Sequence, residues 1–227
     1  MKNKVLVVAA HPDDEILGCG GTIAKHVLAG DIVYGLILGE GKTSRNEYGK
    51  DELIALKNEA ESSAKIIGIK KLYFADFPDN QFDSVPLLSI IKKIEEIKNI
   101  VRPSIIYAHH FGDMNIDHTL THRAVLTATR PQPGEIVKTI YAFETPSSTE
   151  WNSYERNSIF VPNYFVDITS TLETKLKALT EYRSELHDYP HPRSLEYVRK
   201  LAELNGAKVG MQACECFTLI RQLEHSV

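Results

Sequence analysis

The segment HPDDE places an imidazole and three carboxyl groups, His11, Asp13, Asp14 and Glu15, within five residues. Three carboxylates in one turn repel each other unless a positive charge lies among them. Acids in the first turn of a helix are favoured by its dipole, by about 0.3–1 kcal/mol each when exposed, but Glu15 alone would serve that purpose. A dinucleotide-binding turn is disfavoured: the glycines of CGGT follow too late, and acids would repel a phosphate. A divalent cation answers the charge problem directly. Imidazole nitrogen and carboxylate oxygen suit zinc, which in catalytic sites commonly takes three protein ligands and keeps one position open.

His11 and one aspartate supply two such ligands. The third must come from elsewhere, and His109, His110, His118 and His122 crowd one neighbourhood. His118 and His122 stand four apart, the spacing of one helix face. Thr119 follows His118, however, where the zincin pair carries its glutamate base. Spacing alone leaves the choice among these histidines open.

The elements that must position these groups alternate between strand and helix patterns. Residues 4–10 (KVLVVAA) are a continuous apolar run, as in a parallel strand buried on both faces. A helix is expected over about 15–29, ending at Gly30. Strand patterns recur at 32–38, 71–77, 103–110 and 137–144, and the stretch 158–168 is strand-like but interrupted by Pro162. Helical spacing fills the segment ending at Gly68, the segment from an N-cap at Ser84 to about 100, and HTLTHRAVLTAT behind Asp117 as N-cap. Ser170 and Glu173 form a capping-box signature for a helix through about 186, a further helix covers about 194–205, and CFTLIRQL closes the chain as a strand or short helix.

Such alternation predicts an α/β fold with a mostly parallel sheet covered by helices on both faces. Ligands in these sheets bind beyond the carboxyl ends of the strands. The polar clusters at 11–15, 39–45, 76–80 and 109–118 each follow a strand directly, so they are expected to gather on one edge.

Composition narrows the function. The 227 residues carry a formal net charge of −4 and no long basic run, which argues against a nucleic-acid partner. No apolar stretch reaches the roughly 20 residues of a membrane span. The apolar N-terminus is broken by acids from position 13 and reads as a first strand, not a targeting segment. Cys19, Cys214 and Cys216 lack a disulfide framework and fit a reducing, cytoplasmic compartment. There is no internal repeat or linker, so one domain spanning 1–227 is expected, acting as a homo-oligomer.

AHPDDE after the first strand, GCGGT on the following helix and the later Asp117-His118 pair resemble the LmbE/PIG-L family of zinc-dependent N-acetyl amino-sugar deacetylases. NIDHTLTHRAV, PSSTEW and PHPRS extend the similarity over most of the chain. The resemblance implies a Rossmann-like three-layer sandwich, a Zn(2+) cofactor held by His11, Asp14 and His118, and Asp13 as general base. It implies a small-molecule amino-sugar substrate of the GlcNAc type, bound to a nucleotide, lipid or other aglycone; an amide of a sugar-linked thiol conjugate is the close variant. A non-catalytic sugar- or metal-binding protein is the contrasting reading, and the intact Asp13 argues against it.

One departure stands out. Many members carry His-Pro-Asp-His at the second motif, where this chain has Asn115-Ile116-Asp117-His118. Asn115 can donate a hydrogen bond but is no acid near neutral pH. Either Asp13 carries the proton both ways, or His110 or His191 enters the site. Asp117 is expected to orient the His118 region or to cap its helix. For substrate, Arg45 and Lys42 in the loop after the second strand, Asp79 after the third and Arg193 in PHPRS are the candidates, with Trp151 as a surface on which a sugar ring could stack.

Overall fold

The computed structural model describes residues 2–42, 49–152 and 158–224. Among these residues seven strands form one sheet: β1 (Lys4–Ala9), β2 (Ile32–Gly39), β3 (Lys71–Phe77), β4 (Ile105–His109), β5 (Thr139–Phe143), β6 (Tyr164–Asp167) and β7 (Cys214–Gln222). Their spatial order is β3-β2-β1-β4-β5-β7-β6. The first five run parallel. β7 is antiparallel to β5, and β6 is antiparallel to β7.

Alternation along β1 sorts the core into two layers. Val5 and Val7 face one side, packing with α1 (Asp14–Leu28), α2 (Lys50–Ile67), α5 (Leu172–Leu179) and α6 (Leu195–Lys208). Leu6 and Val8 face the other, with α3 (Leu87–Val101) and α4 (Ile116–Ala128). This is the three-layer α/β arrangement expected from the alternating pattern. The chain order reverses between β1 and β4, and the crevice outside such a reversal is where open sheets bind ligands.

Several local expectations are corrected. The final segment is a strand, since its backbone pairs on both sides with β5 and β6. Ser84 ends a short 3₁₀ turn, Phe82–Ser84, and α3 starts only after Pro86. The Ser170 capping box does not form: α5 begins after Thr171 and gives way to turns beyond Leu179. Only Tyr164–Asp167 of the strand-like stretch joins the sheet, after the interruption by Pro162. Asp117 is not the N-cap of α4. Asn115 is, its side chain accepting the Asp117 amide at 2.8 Å.

Helix α1 is interrupted inside. Cys19 has φ −145° and ψ 23°, so the residues before it form a separate first turn. Gly18 is required there, because a Cβ would lie 2.2 Å from the Phe143 ring. No helix among the described residues is long and apolar enough to cross a membrane. The three cysteines are free and buried.

Candidate metal centre

β1 ends against His11, and Asp13 follows in a left-handed conformation, φ 100°, that a non-glycine residue adopts only under constraint. The constraint is visible. The Asp13 amide donates to Glu15 Oε2 at 3.1 Å, and Glu15 Oε1 accepts the buried Tyr182 hydroxyl. Asp14 then opens α1 and turns its carboxylate back, where Oδ2 accepts the His11 amide at 2.8 Å. His118, on the first turns of α4, approaches from across the β1/β4 crevice.

Three donor atoms meet there. His11 Nδ1 lies 3.4 Å from Asp14 Oδ2, His118 Nε2 lies 3.3 Å from that same oxygen, and the two imidazole nitrogens are 3.3 Å apart. All three side chains are buried, and together they could hold a metal ion. A single proton bridges one edge of this triangle at a time, whereas a cation at its centre satisfies all three donors. Asp14 Oδ1 and Asp13 Oδ1 are buried and have no hydrogen-bond partner among the described residues.

Each histidine is held from behind by a carboxylate. His11 Nε2 is 2.9 Å from Asp117 Oδ2 and 3.2 Å from Asp79 Oδ1, and these three residues form a second group able to hold an ion. Asp117 is fixed in turn by the Phe82 amide at 2.9 Å. His118 Nδ1 is 3.1 Å from Asp113 Oδ1, while Ser148 and Thr149 donate to the Asp113 carboxylate. His109 stacks on His118 with ring centroids 3.9 Å apart and accepts the Ala10 amide on Nε2 at 2.9 Å.

The electrostatics follow from burial among acids. Burial by itself would push the His11 imidazole down, but hydrogen bonds and charge from Asp117 and Asp14 raise it to about 10. His118, likewise opposed by burial, rises to about 9 beside Asp14 and Asp113. His109 is held well below the usual histidine range by its burial, with the His118 charge adding to it. Burial drives the Asp13 carboxyl well up, against the Arg193 guanidinium. Glu15 is pushed up to about 7 by burial, against the bond from Tyr182.

Residues 6–129, which contain the three donors, match the family described as PIG-L, GlcNAc-PI de-N-acetylase. The chain belongs to the PIG-L family. It is 31% identical over 226 residues to the diacetylchitobiose deacetylase of Thermococcus kodakarensis, covering 93% of this chain and 81% of that relative. The N,N'-diacetylchitobiose deacetylase of Pyrococcus horikoshii superposes with a TM-score of 0.77 at 25% identity, over 96% of this chain and 84% of its own. GalB, the 4-carboxy-2-hydroxymuconate hydratase of Pseudomonas putida, superposes equally well, 0.77 over the whole of both chains at 23% identity. The fold therefore does not by itself specify deacetylation, and the family match carries that assignment.

In this PIG-L protein the crevice opens into a polar cavity of about 220 Å³, bounded by Asp13, Asp79, Asn80, Asn115, Glu185 and Arg193 beside His11. Arg193 reaches across it, with Nη1 3.3 Å from Asp13 Oδ2 and 3.5 Å from Glu185 Oε2, and its Nε donates to Ser147 Oγ at 2.8 Å. Asn115 has its amide committed at both ends, capping α4 and donating to Asn80 Oδ1 at 2.8 Å.

Two expected histidines lie apart. His110 packs against Phe111 and Phe160, with Nε2 donating to the Ser158 carbonyl. His191 packs at a tilt against His187, and its Nδ1 accepts the Arg193 amide. Neither lines the cavity. Arg45 lies outside the described residues. Lys42 is buried, 3.8 Å from Glu185, and Trp151 is half exposed.

Asp113, Glu185, Asn80 and Tyr182 are not singled out by the sequence, although Asn80 and Asp113 fall within the polar clusters 76–80 and 109–118. Asp113 had one available signal, an acid in the loop that directly follows β4. Glu185 and Tyr182 have none, lying in turns after α5 with no motif spacing.

Proposed function

We propose that this protein is a zinc-dependent hydrolase that removes the N-acetyl group from a GlcNAc-type amino sugar, with His11, Asp14 and His118 as metal ligands and Asp13 as general base. The observation that carries the reading is the near-equilateral donor triangle, with edges of 3.3–3.4 Å. Bonds of about 2.0–2.1 Å in a tetrahedral site place ligand atoms about 3.3–3.4 Å apart, so the donor set fits zinc in both chemistry and spacing. The carboxylates behind both imidazoles support it, since they fix the tautomer that turns a lone pair toward the metal.

Bound zinc supplies Lewis acidity toward water and toward the carbonyl oxygen of the amide. The chain's own groups handle the proton. Asp13 follows immediately before the ligand Asp14, with one oxygen facing Arg193 and the other unpartnered. As general base it takes a proton from the attacking water while the water oxygen bonds to the acyl carbon. It then returns that proton to nitrogen as the C–N bond breaks, releasing the free amine and acetic acid, which gives up its proton to solvent as acetate.

With Asn115 unable to act as an acid, and His110 and His191 outside the cavity, the same carboxyl serves both steps. Arg193 holds Asp13 in place and carries positive charge beside the reacting amide. The cavity's small size and its carboxylate, amide and guanidinium lining suit a hydroxyl-rich pyranose. The relatives named for diacetylchitobiose and the GlcNAc family description support the sugar class.

The test is incubation of zinc-loaded protein with a panel of N-acetylated amino sugars, chitobiose-type disaccharides, nucleotide sugars and sugar-thiol amides, followed by mass spectrometry. Loss of the acetyl mass with stoichiometric acetate, abolished by chelator and restored by zinc, is the expected result. Zinc binding without acetate release from any member would favour the non-catalytic binding protein.

A further inference from the structure

The interruption in α1 leaves backbone groups that a continuous helix would have paired: the Leu17 carbonyl would have accepted the Gly21 amide. One buried ion pair takes both roles. Lys175 Nζ, from α5, donates to the Leu17 carbonyl at 2.8 Å and to Glu215 Oε1 at 2.7 Å. Glu215, from β7, accepts the Gly21 amide on Oε1 at 2.9 Å and the Thr22 amide on Oε2 at 2.7 Å. Lys175 is 4% exposed and Glu215 5%.

The signs match the helix ends they serve. The cation sits at the carboxyl end of the first turn, and the anion sits at the amino end of the helix that resumes after Cys19. The small residues of GCGG make the approach possible: a Cβ on Gly20 would lie 3.0 Å from Lys175 Cγ, and one on Gly21 would lie 2.8 Å from Ile168.

The first turn is what carries Asp14. One helical turn does not hold its own direction, because nucleation fixes several residues for a single hydrogen bond. Its direction is set from outside, by Tyr182 on Glu15 at the start and by Lys175 on Leu17 at the end. We propose that the Lys175–Glu215 pair positions the metal site, holding the severed first turn of α1 so that Asp14 Oδ2 stays within reach of both His11 and His118. This rests on the proposed ligand trio. Lys175 and Glu215 touch neither the cavity nor the donors and act only through the backbone of α1.

The experiment compares zinc affinity, by competition with a chromophoric chelator, and the visible spectrum of the cobalt-substituted protein. The variants are Glu215→Gln and the double variant Lys175→Met with Glu215→Gln, which leaves no unpaired buried charge. Both should weaken zinc binding about 10–100-fold, as changes behind the ligands typically do, and should alter the cobalt bands. Ile90→Ala, in the core on the opposite sheet face, should lower Tm while leaving affinity and spectrum unchanged.

A folded Glu215→Gln or double variant with wild-type affinity and bands would overturn the inference. The unmodified protein gives a readout that needs no variant: coupling between two sites is reciprocal, so zinc loading should slow hydrogen exchange at the Gly21 and Thr22 amides more than at Ile94, buried on α3 across the sheet. Equal protection with and without zinc would also overturn it. Failure of the wild-type chain to bind zinc would overturn the ligand trio as well, which separates the two readings.

Discussion

His118 turns one ring nitrogen toward Asp14 and the other toward Asp113, whose Oδ1 lies 3.1 Å from Nδ1. Asp113 is held near a pKa of about 2 despite its burial, chiefly by the His118 charge and bond and by the hydroxyls of Ser148 and Thr149. It also accepts the Asn115 amide at 2.8 Å. Asparagine at 113 has one acceptor oxygen for these four donors. Asp113→Asn should therefore free the His118 ring and lower zinc affinity about 10–100-fold, measured by chelator competition, while the protein remains folded by circular dichroism.

Metal binding should release protons. In the metal-free protein His11 holds its proton to about pH 10 and His118 to about pH 9. Both must be neutral to ligate, so zinc uptake at pH 7 displaces about two protons. Calorimetry in buffers of different ionisation enthalpy gives that count directly, and a value near zero would contradict the ligand assignment. Apparent affinity should rise with pH until about 9–10. The sign for folding is opposite. Both folded values lie above the usual histidine value, so their contribution to metal-free stability is complete below about pH 6.5 and is lost as pH climbs through 9 to 10. Thermal melts of chelator-treated protein across that range should show the decline, and zinc-loaded protein should not follow it.

Asp13 and His118 separate catalysis from binding. Asp13→Asn keeps the three donors and should retain zinc while acetate release falls at least about 10²–10⁴-fold, the usual contribution of a positioned base. His118→Ala should lose the metal itself. Metal analysis of purified variants, set beside turnover, distinguishes the two. Equal turnover by Asp13→Asn and wild type would remove Asp13 from its role.

Gly18 is set against the buried Phe143 ring, where an added Cβ would fall 2.2–2.7 Å from three ring carbons. Gly18→Ala should therefore cost about 1–3 kcal/mol through overpacking, read as a drop in denaturation midpoint with an unchanged slope.

Much of this architecture was legible in the residues. The unbroken apolar run from Val5 to Ala10 identifies a strand buried on both faces, and polar clusters directly after strands locate the site at the sheet's carboxyl edge. The crowding of acids beside His11 already pointed to a group able to hold a cation. Less visible were features decided by tertiary contacts. The residues from 15 to 29 read as one helix, since nothing within them discloses Lys175 and Glu215, which sit more than a hundred residues away and pair with the backbone of Leu17, Gly21 and Thr22 on either side of Cys19. Asn115 and Asp117 are both good capping types, and only the backbone geometry shows that Asn115 caps while Asp117 turns inward to His11. The histidine cluster shows the same limit: His110 and His118 are alike by composition, and the packing of Phe111 and Phe160 draws one of them away.

The antiparallel strand β7 lies outside the region that matches the family, which ends at residue 129. His11, Asp14 and His118 all fall inside that region, yet Arg193, Glu185, Lys175, Glu215 and the hydroxyls on Asp113 all come from beyond it. A fragment stopping there would keep every donor atom and the carboxylates of Asp113 and Asp117 behind the histidines, and lose the groups that contact Asp13 and the severed first turn of α1. Homologues recognised only by their first half would share the proposed donors and differ in the groups that surround Asp13 and the first turn of α1.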